Sequence, residues 1–420
     1  MQNKIIRAHF YDYFHSYAGM INILLRLLLI YIPVFYFSFE NNQLNLWITL
    51  IFCIEISLHP HRLLQQVFLR QIRKNEHINI ILKRFFCLYF FSAFIPSIYS
   101  FFFITEFDNS KKLLICILIF FLSFVQIFSN FPRAILNLSI EQKNGLIVNF
   151  FLLLITLIFL LFISDIYLIF CFLIFILCLA TLIISYLSDG NKIYYANFNS
   201  HRNKDFKENN SKELLNFIVG SIFTTLSLML FVFLWKKGFF VDSSKDEFSF
   251  FILMNSATQL AYYFFSSNLP RMFALRKLSE ANILIEKNLK FFTLIFLAGQ
   301  VILFLLSPYV FGIKVNFVLF LGYLISLLSL RFTQVILTQQ REHGNLIFLE
   351  VGSVFFILNI LMWSICYFYD INFSSLEFVI YYSSTQLIVL LLYSYKLNAL
   401  TVISKFYFGF IFSSFLFLLL

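Results

Sequence analysis

Charge is what this sequence has least of. Only 12% of its 420 residues are Asp, Glu, Lys or Arg, about half the share found in soluble globular domains, and that scarcity excludes an ordinary soluble fold. Cysteine is scarce as well. The six present, Cys53, Cys87, Cys116, Cys171, Cys178 and Cys366, lie inside apolar runs, with no CxxC and no Cys/His cluster at metal-ligand spacing. They read as small buried hydrophobes, so no disulfide, no metal and no other cofactor is expected. Walker A, GxGxxG, HExxH and GxSxG patterns are missing, which removes the enzyme classes built on those loops and helices. Strand-like alternation is missing too: Leu152 to Ile163 is apolar on every side, whereas a membrane barrel strand alternates over about ten residues. Finally, the first twenty residues are polar and aromatic (RAHFYDYFHSY) rather than a basic stub with a short apolar core and a cleavage site. The first helix is therefore expected to be the membrane anchor itself.

What is present is apolar. Hydrophobic residues make up 60% of the chain, with 62 phenylalanines and a mean hydropathy of +0.85. Apolar runs recur along the whole length, each long enough to cross a hydrocarbon core that needs roughly 20 residues per helix, and in lipid only helices and closed barrels satisfy the backbone. The runs predict spans at 21–38, 43–58, 86–105, 113–130, 146–164 and 166–187, then a polar stretch, then spans at 214–235, 249–268, 291–308, 316–338, 346–368 and 376–395. The run Phe406 to Leu420 would make a thirteenth. The expected fold is an all-α polytopic membrane protein with twelve or thirteen transmembrane helices. It would comprise a six-helix lobe over 1–188, a cytoplasmic loop over 189–213, a second six-helix lobe over 214–395 and the extra run within 396–420.

Lys and Arg set the orientation, because cationic loops are retained in the cytoplasm. With the amino terminus inside, 23 of the 31 basic residues fall in inside loops and six outside, while Arg26 and Arg331 fall within spans. In the same arrangement Trp47, Trp235 and Trp363 lie toward the outer helix ends, at the headgroup level an indole prefers. The net charge of +10 is accounted for by this orientation and by anionic cytoplasmic lipid; nucleic acid is not an expected partner.

The two halves share a device. After the second span comes Pro60, Arg62, a basic stretch and Lys83-Arg84-Phe85-Phe86; after the eighth comes Pro270-Arg271, a basic stretch and Lys290-Phe291-Phe292. Apolar residues recur among the basic ones (Phe68, Ile72; Ile283, Leu284) at helical spacing, which predicts a helix lying on the cytoplasmic surface in each half. Pro132-Arg133 heads a weaker third copy. Two six-helix halves of the same orientation predict lobes related by an axis along the membrane normal, around a central cavity.

Charges inside spans cost about 2.5–3.5 kcal/mol each on insertion scales and so face partners or cavities. Arg26 and Glu55 lie on adjacent spans, as do Arg331 and Glu350; structural ion pairs are one reading. The other is that Arg26, with Arg62, Arg271 and Arg331, lines an aqueous cavity and grips an anionic headgroup through bidentate guanidinium bonds. Gln259, Tyr262, Tyr263, Gln300, Gln334 and Gln386 are polar residues within spans, read as interhelical glue.

Several segments carry a family likeness. HSYAGMINILLRLLLIYIPVF resembles the first helix of the bacterial polysaccharide flippases, the O-antigen (Wzx-type) branch of the multidrug, oligosaccharidyl-lipid and polysaccharide exporter superfamily. SSNLPRMFALRKLSEANILIEKNLKFF resembles their segment joining helices 8 and 9, and LRFTQVILTQQREHGNLIFLEVGSVFFILNILM their helices 10 and 11. The resemblance implies two six-helix bundles around a cavity that opens alternately to each side. It implies translocation of an undecaprenyl-diphosphate-linked oligosaccharide, an O-antigen or capsule repeat unit, across the bacterial inner membrane, with a polysaccharide polymerase and chain-length regulator as partners and H+ or Na+ coupling left open. Arg26 matches the position of a helix 1 arginine in related precursor flippases. Two alternatives stay open: an O-antigen polymerase or other lipid-linked-sugar enzyme, which would need a sizeable exterior loop where this chain has short ones, and a drug exporter of the same fold, which would need an acidic or more apolar cavity.

Overall fold

A computed structural model describes residues 41–58, 78–126, 138–187, 245–266, 278–342 and 347–369, together with positions within 21–33, 226–236 and 371–388. All secondary structure among the described residues is helical. In the first of two compact units, Met1–Ile218, the helices are α1 (Asn41–Ser57), α2 (Ile78–Phe103), α3 (Asn109–Val125), α4 (Leu138–Leu160) and α5 (Ile166–Leu187). The second unit, Val219–Leu420, holds α6 (Lys245–Ser266), α7 (Leu278–Val310), α8 (Phe317–Glu342) and α9 (Ile347–Phe368).

A helix that is apolar all round must be covered all round, and α1 is the case in point. Every residue from Trp47 to Ile54 is buried, against α2, α3 and α5. The remaining helices bury one face and present another rich in large apolar side chains, such as Phe91, Ile158, Leu294 and Leu361. Exposed apolar surface on that scale suits a hydrocarbon environment rather than water. Lys143–Leu160 of α4, Ile166–Leu187 and Thr293–Val310 of α7 are long and apolar enough to cross a membrane. The chain is thus helical and membrane-associated.

Short turns join α2 to α3, α4 to α5 and α7 to α8. Asp165 Oδ1 accepts from the Tyr167 and Leu168 amides at 2.7 and 3.3 Å, and Asn316 Oδ1 accepts from the Val318 amide at 3.1 Å; each satisfies orphan donors of a first turn. Gly312 (φ 66°) turns the chain after α7, so that the Ile313 amide closes on the Ser307 carbonyl at 3.2 Å. A left-handed φ of this kind is open to glycine without a Cβ penalty.

One expectation is corrected. The stretch carrying Ile283 and Leu284 is no separate surface helix from Leu278 onward: it runs unbroken into the following span as one 33-residue helix, about 50 Å long at 1.5 Å per residue. Likewise α2 and α4 each begin eight residues before the expected spans, at Ile78 and Leu138. Trp47, toward the first end of α1, is fully buried against protein, its indole Nε1 donating to the Ile30 carbonyl at 3.0 Å and its ring edge-on to Phe170. The N–H that an exposed indole would give to headgroups is satisfied inside the unit. Trp235, Phe68, Ile72 and the segments 189–213 and 396–420 lie outside the described residues.

Candidate functional site

The second unit holds a layer of buried polar side chains inside an apolar bundle. Its central helix, α6, packs on α7 and α8. It runs apolar and buried from Phe250 to Met254, then turns polar as Asn255-Ser256-Ala257-Thr258 with its three polar residues at most 3% exposed. A hydroxyl or amide in such a place costs free energy unless it is hydrogen-bonded. Two hydroxyls turn back on their own helix, Ser256 Oγ to the Ile252 carbonyl at 3.0 Å and Thr258 Oγ1 to the Met254 carbonyl. Gln300 arrives from α7: its Nε2 donates to the Met254 carbonyl at 3.2 Å and to Thr258 Oγ1 at 3.1 Å. Its Oε1 is buried and accepts no hydrogen bond.

Arg331 arrives from α8. It is 4% exposed, and its Nη2 donates to Asn255 Oδ1 at 2.8 Å across 76 residues of sequence. Helix geometry explains the meeting. Asn255 lies ten residues from the start of α6 and Gln300 ten from the end of α7, each about 15 Å along its axis, while Arg331 lies about 21 Å into α8. Helical side chains tilt toward the amino terminus of their helix, which carries the long Arg331 stem back toward the level of Asn255. The amide is a neutral acceptor: it satisfies one N–H of the guanidinium fork and brings no counter-charge. A hydrogen bond to a charged group contributes about 1.5–3 kcal/mol, against a similar cost of placing an arginine in a span.

The first unit has polar ties of a different kind. Gln126 Nε2 lies 3.4 Å from Thr181 Oγ1, linking the end of α3 to α5, and Ser97 Oγ donates to the Cys116 carbonyl at 2.8 Å, linking α2 to α3. Asn149 of α4 donates to Asn22 Oδ1 at 3.0 Å. An ideal Cβ on Gly145, one turn before Asn149, would stand 2.9 Å from Asn22 Nδ2. These ties are uncharged. Glu55 is half-buried near the end of α1.

Of the residues singled out from sequence, Arg331 is thus placed in a built polar layer and Gln300 acts as interhelical glue. Glu350 belongs to α9, which packs on α8, but its side chain lies outside the described residues, as do Arg26, Arg62, Arg271 and Gln386 and the side chains of Gln259, Tyr262, Tyr263 and Gln334. Asn255 and Thr258 escaped the sequence reading. Their signal was the polar run NSAT interrupting an apolar span. No group of three or more His, Cys, Asp or Glu able to hold a metal occurs among the described residues. No family model, no curated protein and no solved structure matches the chain.

Proposed function

We propose that the chain is a flippase of the bacterial inner membrane, moving an undecaprenyl-diphosphate-linked oligosaccharide, an O-antigen or capsule repeat unit, from the cytoplasmic to the periplasmic leaflet by alternating access. In this reading the amino terminus is cytoplasmic and twelve or thirteen helices form two six-helix lobes about a cavity. The observation that carries it is Arg331: a guanidinium kept in the buried centre of a lipid-compatible bundle, where it is expensive and where its planar fork suits a phosphate. Arg26, Arg62 and Arg271 are the further cations assigned to the headgroup, Glu55 and Glu350 the intramembrane partners of Arg26 and Arg331, and a polymerase and chain-length regulator the proteins that receive the product. The 23 of 31 basic residues on one side and the sequence resemblance support the same reading.

The test is deletion in the native strain, complemented by wild type or by Arg331→Ala at matched membrane levels. Deletion is expected to abolish surface polymer and trap single lipid-linked repeat units in the cytoplasmic leaflet. Arg331→Ala is expected to restore polymer at least about tenfold less well, the factor for a lost charge-assisted bond of about 1.5 kcal/mol. Repeat units reaching the outer leaflet unpolymerised would make the protein a polymerase, and unchanged polysaccharide would remove the whole class.

A further inference from the structure

The interior of α2 carries a buried proline, Pro96, 18 residues after Ile78 and seven before Phe103. Pro308, by contrast, lies two residues from the end of α7, where the chain is about to turn at Gly312. Pro96 has no N–H to give the Ser92 carbonyl, and its ring crowds that carbonyl, so resistance to bending is lowest at this point of α2. Hydroxyls surround the break. Ser100 Oγ donates to the Pro96 carbonyl at 2.7 Å and Ser92 Oγ to the Tyr89 carbonyl at 3.1 Å, the kind of local bond that makes a broken helix tolerable in a bilayer.

The two sides of Pro96 are held by different means. After it, α2 is pinned by directional bonds and close stacking. Ser97 Oγ donates to the Cys116 carbonyl of α3 at 2.8 Å. Tyr99 and Phe103 stack at 5.0 Å, and both meet Phe52 of α1, at 6.4 and 5.5 Å. Ser100, Phe103 and Ile104 are at most 1% exposed. The turn that follows is tied down too: Phe107 meets Tyr167 of α5 edge to face at 5.6 Å, and Lys111 Nζ lies 5.4 Å over the same ring.

Before Pro96, α2 meets α3 through phenyl rings: Phe86 on Phe124, Phe90 on Phe120 and Phe124, and Phe94 on Phe120, with centroids 4.6–6.0 Å apart. Ring pairs stay attractive over centroid separations of about 4.5–7 Å, so this seam tolerates sliding that would break the 2.8 Å bond of Ser97. Phe86, Phe90, Phe91 and Phe94 are each at least 38% exposed, while Tyr89 and Ala93 are covered.

We propose that α2 is a hinged arm: its leading part, Ile78 to Ile95, swings along α3 about Pro96, while Ser97 to Phe103 stays fixed to α1 and α3. With the amino terminus in the cytoplasm, the swinging part is the cytoplasmic one, so the device opens and closes the first unit on that side. It belongs to the first unit alone and does not depend on what the chain carries.

The experiment uses the full chain in phosphatidylcholine nanodiscs, with pairs of spin labels read by pulsed electron resonance and the unlabelled cysteines replaced by alanine. One pair joins the exposed Cys87 to position 186 of α5, and a control pair joins positions 102 and 168, all at exposed sites. Nine residues of helix, about 13 Å, separate Cys87 from Pro96, so a bend of about 20° there displaces the label by about 5 Å. The 87–186 distribution is expected to be broader than the 102–168 one by about that amount, and Pro96→Ala, which restores the N–H, to narrow it to the control width. If Pro96→Ala fails to accumulate, Ser97→Ala carries the test: with the pin removed, the 102–168 pair should broaden toward the width of the 87–186 pair. A narrow 87–186 distribution in wild type overturns the hinge. Equal breadth in both pairs means that α2 moves as one body and also overturns it, as does breadth that survives Pro96→Ala or a control pair that Ser97→Ala leaves unchanged.

Discussion

At the residue scale, a polar side chain in a lipid-facing bundle is defined by where its hydrogen bonds go. Asn149 and Gly145 show how one bond fixes two residues. Asn149 reaches Asn22 at 3.0 Å because Gly145, one turn earlier, leaves room for the Asn22 amide. The obstruction a Cβ would meet is the tip of a flexible side chain, so Gly145→Ala should displace that amide rather than the backbone. It is then expected to cost about what the interhelical bond contributes, about 0.6 and at most about 1.7 kcal/mol. Asn149→Leu should cost a similar amount, and the double variant no more than the larger single one, since both remove the same contact. Unfolding by denaturing detergent checks this; fully additive losses would show that Gly145 acts elsewhere. Arg331 was legible at this scale as a charge in an apolar run. Its partner Asn255 was not, because which of several buried amides lies opposite depends on the crossing of α6 and α8.

At the element scale, apolar runs located the helices and charged residues misled about their ends. The expected span 166–187 coincides with α5 (Ile166–Leu187), since the apolar run is bounded in sequence by Ser164-Asp165 and Ser188-Asp189-Gly190, polar and turn-forming residue types. For α7 the expectation began at 291 and the helix begins at Leu278. Hydropathy reports immersion, and Glu280, Glu286, Lys287 and Lys290 end the apolar run although Glu and Lys are good helix formers. Continuity has a measurable consequence. Spin labels at positions 281 and 303 are expected about 33 Å apart if one straight helix joins them, at 1.5 Å per residue over 22 residues. A distance below about 28 Å would mean that the chain bends onto the membrane surface before the span, as the basic, amphipathic sequence by itself suggests.

At the scale of the whole molecule, the basic residues make a prediction about sidedness. With the amino terminus in the cytoplasm, Lys314 in the turn between α7 and α8 faces the periplasm, and Arg341 at the far end of α8 faces the cytoplasm. In a cysteine-free background, a cysteine at 314 is expected to react with a membrane-impermeant maleimide in intact spheroplasts, and one at 341 only after lysis. The reverse pattern would invert the topology and count against the proposed flippase. Cys53 and Cys116 are buried and cysteine packs as a small hydrophobe, so alanine is the replacement of choice in that background.

The amino-acid sequence by itself determined that the chain is helical and apolar, and where most helices lie, because length and hydropathy along one strand of chain suffice for that. It also marked Arg331 as costly. Only tertiary structure decided that Trp47 is buried against protein, that α1 packs on α2, α3 and α5 and α6 on α7 and α8, and that Arg331 bonds to Asn255 while Gln300 bonds to Thr258. Burial and hydrogen-bond pairing are properties of helices packed against one another. The same apolar run can face lipid or protein, and only its neighbours distinguish the two.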